Sequence, residues 1–206
     1  MSSRAKARDL LFELWRSVMP HPLLKIAAYC AYLASWVIVT AVALFGQLLR
    51  LRKLTAGPKM TITMPVVVGS LLQVLAAFIL TRALPNGPLH PQTFELAGAL
   101  VLAPLGAGLY TWSLRSAPND ADANTLITDG AYEWLRHPIY LAFLAMLVAT
   151  GFLISAGTKL IVPVLLYVAG SELRIATEES ELVQKFSEDY AQYRSRTRWR
   201  YLPGLR

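Results

Sequence analysis

Five long stretches of the chain are apolar and nearly free of charged residues. They run from Ile26 to Leu49, Thr61 to Leu80, Phe94 to Leu114, Ile139 to Ala156 and Leu160 to Ala176. A helix needs about 20 apolar residues to cross the roughly 30 Å of hydrocarbon in a bilayer. The pattern therefore predicts an all-α polytopic membrane protein with about five transmembrane helices.

An amphipathic segment precedes the first of these spans. Between Arg4 and Met19, leucine, tryptophan, valine and methionine recur at helical spacing, while the charged residues fall largely elsewhere. A segment of this kind lies on a bilayer surface instead of crossing it. We therefore expect an interfacial helix within residues 1–25, ahead of three spans in residues 26–114.

Residues 115–206 hold a polar loop, a helical hairpin and a tail. Only a few residues around Gly157 join the fourth span to the fifth, which forces the two helices to run antiparallel. After Ala176 the helix becomes amphipathic, with its apolar residues on one face. These residues are Leu182, Val183, Phe186, Tyr190 and Tyr193. Since no internal repeat is seen, we expect residues 1–206 to form a single domain.

Two of the spans carry features beyond their apolar character. Gln73 is the only strongly polar side chain in the second span. The third span is rich in glycine and alanine, small residues that let helices approach closely. Such a surface can pack within the chain or against another copy, so the sequence leaves the oligomeric state open.

Composition narrows the class of protein further. Hydrophobic residues make up 55% of the chain and charged residues 16%, which excludes an ordinary soluble domain. The formal net charge is +7, but basic residues beside apolar spans are ordinary topology signals, so we expect the lipid bilayer and no nucleic acid as partner.

Cys30 is the single cysteine, which excludes an internal disulfide and a cysteine-based metal site. Within its apolar run we expect it to be a small buried residue.

The distribution of lysine and arginine predicts the orientation in the membrane. If the C-terminus is cytosolic, that side holds 13 of the 20 basic residues and the other side holds 7. Basic residues accumulate on the cytoplasmic side of membrane proteins. We therefore expect the C-terminus, and any active site near it, to face the cytosol. The membrane that we expect is a prokaryotic inner membrane.

The loop between the third and fourth spans concentrates polar residues at a membrane boundary. Gly130 is free to adopt backbone angles that other residues avoid. Arg136 and His137 follow, and Pro138 suits the first turn of the fourth span. Because a residue before proline is pushed towards an extended conformation, the loop should present His137 at the helix start. A single Arg-His-Pro sequence is also compatible with a simple helix start.

A second polar cluster lies where the fifth span ends. Arg174 and Glu178 are four residues apart and share a helix face, with Glu179 one step round. Taken alone, this is also typical of a helix that emerges into water. The hairpin, however, returns to the side from which it left. We therefore expect Arg174, Glu178 and Glu179 to lie near Gly130 and His137.

The tail adds aromatic residues among arginines: Tyr190, Tyr193, Trp199 and Tyr201. Their rings could stack on an adenine base or sit in the interfacial aromatic belt of the membrane. The sequence leaves both uses open.

Together these elements resemble the isoprenylcysteine carboxyl methyltransferase family, integral membrane enzymes that use S-adenosylmethionine. The family carries a segment of the form L-x-T-x-G-x-Y-x-x-x-R-H-P-x-Y, found here from Leu126 to Tyr140. A hairpin, the pattern R-x-x-x-E-E from Arg174, a Y-x-x-Y pair and a closing leucine-proline follow in the family's order. The resemblance covers about residues 126–203, and the first three spans match only as hydrophobic helices.

The resemblance implies roles for individual residues. In the family the C-terminal hairpin and tail enclose the cofactor, and a lipid-like substrate enters sideways from the bilayer. The implied cofactor-binding residues are Gly130, Tyr132, Arg136, His137, Pro138, Tyr140, Tyr190 and Tyr193, and the implied catalytic residues are Arg174, Glu178 and Glu179. The implied cofactor is S-adenosylmethionine, with S-adenosylhomocysteine as product.

Methyl transfer from a sulfonium is an in-line displacement, so alignment of donor and nucleophile contributes most to catalysis. A carboxylate acceptor needs no base but needs a cation to orient it, and Arg174 fits that role. An amine, hydroxyl or thiol acceptor would instead need a base, such as Glu178 or Glu179. No metal-ligand spacing is present, so we expect no metal. The acceptor stays open beyond its lipophilic character.

Two other classes of protein remain as alternatives. Sterol reductases, which use NADPH, resemble these methyltransferases in their C-terminal halves, and the arginines of the tail could bind the extra phosphate of NADPH. Those reductases are longer, however, and the Glu178–Glu179 pair matches the methyltransferases better. The second alternative is a non-enzymatic membrane accessory protein, which would leave the polar cluster unexplained.

Overall fold

The computed structural model describes residues 22–53, 63–84, 89–116, 125–202 and 204. The predicted N-terminal interfacial helix lies outside these residues, as does the first part of the polar loop. Helices account for nearly all regular structure in the described part of the chain, which contains no strand. The prediction of an all-α protein is confirmed.

Six α-helices and one short 3-10 helix are described. They are α1 (Pro22–Lys53), α2 (Met64–Arg82), α3 (Thr93–Ser116), α4 (Ala131–Trp134), α5 (Pro138–Leu153), the 3-10 helix (Gly157–Leu160) and α6 (Ile161–Arg196). Pro138 opens α5 and Pro65 lies in the first turn of α2, where a missing N–H costs no hydrogen bond.

Four helical segments are long and apolar enough to cross a membrane. They are Pro22–Ala41, Met64–Arg82, Thr93–Ser116 and Gly157–Arg196, and each coincides with a predicted span. The remaining predicted span corresponds to α5, which has 16 residues and is shorter than an ordinary crossing. The polytopic membrane class is confirmed, while the number of five spans stays a prediction.

Close packing of small residues joins α3 to α1 and α5. Ala99, Ala103 and Ala107 of α3 are buried beside Met146 of α5. A side chain on Gly106 would lie 2.8 Å from the carbonyl oxygen of Ala142, so glycine is needed for this approach. The small residues of the third predicted span therefore pack within the chain.

The second close contact joins α2 to α6. A Cβ atom on Gly69 would lie 2.6 Å from the carbonyl oxygen of Gly170, and one on Gly170 would lie 2.5 Å from the carbonyl oxygen of Gly69. The two backbones therefore touch at this point. Farther along, Ala76 packs near Tyr167, and Leu80 packs near Leu160 at the far end of the pair. The contact fixes the register of α2 against α6.

The hairpin between α5 and α6 forms as predicted. Ala156 and the 3-10 helix reverse the chain direction within a few residues, with Gly157 at a φ of 54°. Helix α6 then continues well beyond the apolar stretch that ends at Ala176, which confirms the predicted amphipathic extension. One interruption occurs at Ser187, whose φ is 41° and ψ −106°. It redirects the last turns of α6 towards the loop before α5.

The expectation for Cys30 is wrong. Its side chain is exposed on α1, whereas its neighbours Ala28 and Tyr29 face the other helices. The hydroxyl of Tyr29 donates a 3.1 Å hydrogen bond to the carbonyl oxygen of Leu153. A residue in an apolar run can face either lipid or protein, and only the packing of α1 decides between them.

Candidate active site

The tail of the chain pairs with the residues that precede α5. The backbone N–H of Arg136 donates to the carbonyl oxygen of Trp199 at 3.0 Å, and that of His137 donates to the carbonyl oxygen of Arg200 at 2.7 Å. His137 has a φ of −133° because the following proline excludes the helical conformation. The extended backbone leaves its N–H free for the tail. The loop and the tail thus form one unit at the start of α5.

The Arg136 side chain holds this unit together from inside. It is 4% exposed. Its Nε donates to Oε1 of Glu179 at 2.9 Å, and its Nη1 donates to the carbonyl oxygens of Thr197 and Arg198 at 2.8 and 2.9 Å. These carbonyl groups follow the end of α6, where helical acceptors lack backbone partners. Arg136 therefore ties the loop, α6 and the tail to one another.

Glu179 is the anionic partner at the centre of this clamp. Its Oε1 accepts from Arg136 and its Oε2 accepts from Arg200 at 2.8 Å, while Nε2 of His137 lies 3.6 Å from Oε1. Glu179 lies beyond the apolar part of α6, which ends at Ala176. Burial acts to raise the pKa of this carboxyl, but the contacts with His137, Arg200 and Arg136 outweigh it and hold the pKa well below its ordinary range. Glu179 is thus a buried, ionised carboxylate.

Glu178 has different surroundings although it is the adjacent residue. Its Oε2 lies 3.4 Å from Nδ1 of His137, and its Oε1 accepts a short hydrogen bond from the hydroxyl of Tyr140. Nη2 of Arg174 lies 3.9 Å from the same Oε1. The Glu178 side chain is 31% exposed. It therefore faces an open space while three neighbouring side chains fix its position.

The two carboxylates act together on His137. Burial would lower the pKa of the imidazole, since it disfavours the charged form, but Glu178 and Glu179 together raise the pKa above its ordinary value. The His137 imidazole therefore takes up a proton more readily than a free imidazole, although its side chain is only 7% exposed.

A cavity of about 460 Å³ opens beside this cluster. Its walls come from the loop, the start of α5 and the extension of α6: Thr125, Leu126, Ile127, Tyr132, Arg136, His137, Pro138, Ile139, Tyr140, Glu178, Glu181, Leu182, Lys185, Phe186, Tyr190 and Tyr193. The Tyr190 hydroxyl is buried there and makes no hydrogen bond of ordinary length to the described residues. The cavity thus combines aromatic rings, carboxylates and a buried hydroxyl, and ligand sites commonly combine these features.

Residues 96–184 match the model of the isoprenylcysteine carboxyl methyltransferase (ICMT) family. The family resemblance is confirmed for this region. It contains the loop, the hairpin and both glutamates of the cluster. The tail that pairs with the loop lies after the matched residues.

Three curated proteins named protein-S-isoprenylcysteine O-methyltransferase are similar to part of the chain. The protein from Schizosaccharomyces pombe is 35% identical over 71 residues, which is 34% of this chain and 30% of that protein. The Xenopus laevis protein is 32% identical over 84 residues, which is 37% of this chain and 26% of that protein. The Saccharomyces cerevisiae protein is 30% identical over 73 residues, which is 35% of this chain and 30% of that protein. The chain thus covers less than a third of the length of these relatives.

The structure brings most of the residues suggested by the ICMT motif to the cavity. Tyr132, Arg136, His137, Pro138, Tyr140, Glu178, Tyr190 and Tyr193 all line it. Arg174, Glu179 and Gly130 do not. Arg174 stands behind Tyr140, with its guanidinium carbon 5.5 Å from the centre of the ring. Glu179 is enclosed by arginines.

Gly130 shapes the loop instead of the cavity wall. Its φ of 63° is unfavourable for other residues, and a Cβ atom there would lie 2.2 Å from Oγ of Ser116. The N–H of Ala131 donates to that Oγ at 3.2 Å, and the hydroxyl of Tyr193 donates to the carbonyl oxygen of Tyr132 at 2.8 Å. The glycine therefore lets the loop pack on the end of α3 and positions Tyr132 indirectly.

Sequence reasoning missed several residues of the site. Glu181 and Lys185 were not among the residues predicted for the site, yet both line the cavity. Their spacing of three and seven residues from Glu178 is the signal that could have placed them there. Arg200, which bonds both Glu172 and Glu179 at 2.8 Å, carries no such local signal because its partners are 28 and 21 residues away.

Proposed function

We propose that this protein is an integral membrane methyltransferase that moves a methyl group from S-adenosylmethionine to a lipophilic acceptor. The acceptor would be an isoprenylcysteine-like carboxylate or another nucleophile embedded in the membrane. The similarity of residues 96–184 to the ICMT family supports the reaction class. The observation that carries the proposal is the cavity at the ends of α5 and α6, with Glu178 fixed in its wall.

The residues around the cavity fit S-adenosylmethionine. About 460 Å³ lies within the usual range of small-molecule sites, roughly 300–1,000 Å³. The rings of Tyr132 and Phe186 can stack on an adenine base. Glu178 supplies negative charge for the cationic part of the ligand. When bound, this cofactor supplies an electrophilic methyl group.

The cluster supports Glu178 over Glu179 as the carboxylate that takes part in the chemistry. Glu179 is fully committed to Arg136 and Arg200, and its lowered pKa makes it a poor proton acceptor. Glu178 is partly exposed and faces the cavity. For an amine, hydroxyl or thiol acceptor, Glu178 would therefore be the base, while Glu179 would position His137.

Arg174 would serve a carboxylate acceptor. Its guanidinium stands at the inner edge of the site, between Tyr140 and Glu178, and its side chain is 27% exposed. A fixed cation there can orient a carboxylate oxygen towards the methyl group, and orientation alone supplies several kcal/mol in such displacements. The same charge would stabilise the carboxylate against the apolar surroundings of the bilayer.

The site would face the cytosol of a cell, in a prokaryotic inner membrane. With five spans and a cytosolic C-terminus, 13 of the 20 lysine and arginine residues would lie on the cytosolic side. This distribution supports a cytosolic C-terminus.

Equilibrium binding of radiolabelled S-adenosylmethionine to the purified protein in detergent tests the cofactor. We expect His137→Ala to weaken binding at least about tenfold, or about 1.4 kcal/mol. The matched control is His90→Ala. It changes an exposed histidine that is distant in sequence from the residues lining the cavity. Unchanged affinity in His137→Ala would move the pocket elsewhere. Binding of NADPH instead of S-adenosylmethionine would favour the reductase alternative, and binding of neither would favour an accessory protein.

Turnover tests the role of Arg174. An acceptor can be sought by screening membrane lipids and prenylated thiols for methyl incorporation. We expect Arg174→Leu to keep cofactor affinity within a few-fold, while turnover falls by roughly two to three orders of magnitude. Arg82→Leu, at the exposed end of α2, controls for loss of a cation. Turnover at the wild-type rate in Arg174→Leu would show that its charge is only a membrane anchor.

A further inference from the structure

Gln73, the single strongly polar side chain of the second predicted span, lies on α2 and contacts Arg174 of α6. Its Nε2 donates a 3.0 Å hydrogen bond to Oγ of Ser171. Its Oε1 accepts a 3.0 Å hydrogen bond from Nη1 of Arg174. A polar side chain within a membrane span is costly and is usually retained for a function. Here the amide connects α2 to the guanidinium beside the cavity.

The amide can point in only one direction. The Ser171 hydroxyl uses its proton to donate to the carbonyl oxygen of Tyr167 at 2.8 Å, so its oxygen is left to accept from Gln73. The NH₂ group of Gln73 must therefore face Ser171, and its carbonyl oxygen must face Arg174. The opposite orientation would place NH₂ protons against a guanidinium. Ser171, which is fully buried, thus fixes which end of the amide meets the cation.

The backbone contact between α2 and α6 brings these groups together. At Gly69, the position of a missing Cβ atom lies 2.7 Å from Cγ of Arg174. The stem of Arg174 therefore runs across Gly69, and its guanidinium ends beside Gln73, one helical turn along α2. On the other side, Nη2 lies 3.9 Å from Oε1 of Glu178. Gln73 and Glu178 thus hold the guanidinium from two directions.

We propose that Gln73 is a positioning residue for Arg174 in the methyl-transfer reaction, an inference that rests on the proposed function. An arginine has many rotamers, and the Arg174 side chain is 27% exposed, so its guanidinium needs partners to hold one of them. A neutral acceptor on a different helix restricts the guanidinium without neutralising its charge, which an acidic residue would do. The cation then stays available for an acceptor carboxylate. Gln73 also lines a second, apolar cavity of about 290 Å³, so the Gln73–Arg174 pair lies between that cavity and the site.

Steady-state kinetics on detergent-purified variants test this role. We expect Gln73→Leu to lower kcat by roughly 10- to 100-fold, while the Kd for S-adenosylmethionine stays within about twofold. Gln73→Glu keeps an oxygen towards Arg174 but neutralises the charge of the guanidinium, so we expect it to lower kcat as well, by at least about threefold. Ser70→Ala is the matched control, since among the described residues the Ser70 hydroxyl bonds only within its own helix, to the carbonyl oxygen of Val66.

A double-mutant cycle separates positioning from a general structural effect. If Gln73 acts through Arg174, adding Gln73→Leu to Arg174→Leu should lower kcat less than about twofold further. Additive losses, or a wild-type kcat in Gln73→Leu, would overturn the inference and leave the proposed function standing. If wild-type protein neither binds S-adenosylmethionine nor transfers methyl groups, the proposed function and this inference both fail. If Gln73→Leu does not fold, Ser171→Ala tests the positioning role of Gln73 instead. A loss in kcat of about threefold or more would support that role, and an unchanged kcat would refute it.

Discussion

Nε of Arg136 donates a 2.9 Å hydrogen bond to Oε1 of Glu179, and both side chains are almost completely buried. The two residues are 43 positions apart, one before α5 and the other on α6. The bond therefore closes the end of the helical hairpin around the loop. Because this bond holds Glu179 inside the protein, its role differs from that of Glu178, which faces the cavity.

This pair predicts a large loss of stability when the cation is removed. Arg136→Met leaves the Glu179 carboxylate buried with one arginine fewer and frees two backbone carbonyl groups. We expect the variant to be less stable by about 3 kcal/mol, because a buried ion that loses its partner is strongly unfavourable. Thermal unfolding in detergent measures the effect, with exposed Arg198→Met as control. Equal melting temperatures for Arg136→Met and wild type would mean that the clamp does not stabilise the fold.

The surroundings of His137 predict a pH dependence. Its folded-state pKa is raised, so the stability contributed by the imidazolium is fully present below the unfolded pKa of about 6.5 and is lost as pH rises through the higher folded value. Nuclear magnetic resonance titration of the His137 ring, with His21→Gln and His90→Gln to remove the other two imidazoles, measures that pKa directly. A value below about 6.5 would show that burial outweighs the carboxylates. Thermal stability of His137→Gln should lack the loss that wild type shows as pH rises through the folded-state pKa of His137.

The contact between α2 and α6 predicts a second stability effect. In Gly69→Ala the new methyl group would meet the carbonyl oxygen of Gly170 and the stem of Arg174. We expect a loss of about 1–3 kcal/mol, as for other overpacked helix contacts. Gly108→Ala in α3 is the control, since nothing lies within 4 Å of its Cβ position and alanine favours the helix. Equal stability of both variants would argue against a close approach at Gly69.

The basic-residue distribution predicts that the C-terminal tail is cytosolic and the N-terminus is not. In a Cys30→Ser background, a cysteine placed at Ser195 or at Ser3 can be labelled from outside intact cells with an impermeant reagent. Ser195 is exposed near the end of α6. We expect labelling at position 3 and none at position 195. The reverse pattern would invert the assigned orientation.

The sequence by itself determined the membrane class, the helical hairpin and the grouping of the Arg136–His137–Pro138 loop with the glutamate pair. These features follow from local rules. A bilayer demands long apolar helices, a short connection forces antiparallel packing, and helical spacing puts Arg174 and Glu178 on one face. The order of the motifs also indicated the ICMT resemblance. All of this can be read from neighbours along the chain.

Only the tertiary structure decided what each polar side chain does. Arg136, expected to bind a cofactor, lines the cavity and also bonds Glu179 and the tail. Gln73 meets Arg174 across 101 positions of sequence. Glu178 and Glu179 look equivalent in the sequence, yet one faces a cavity and the other is enclosed by two arginines. The physical reason is that a buried polar group takes its properties from the partners that satisfy it. Those partners arrive by folding, from helices and a tail that are distant along the chain.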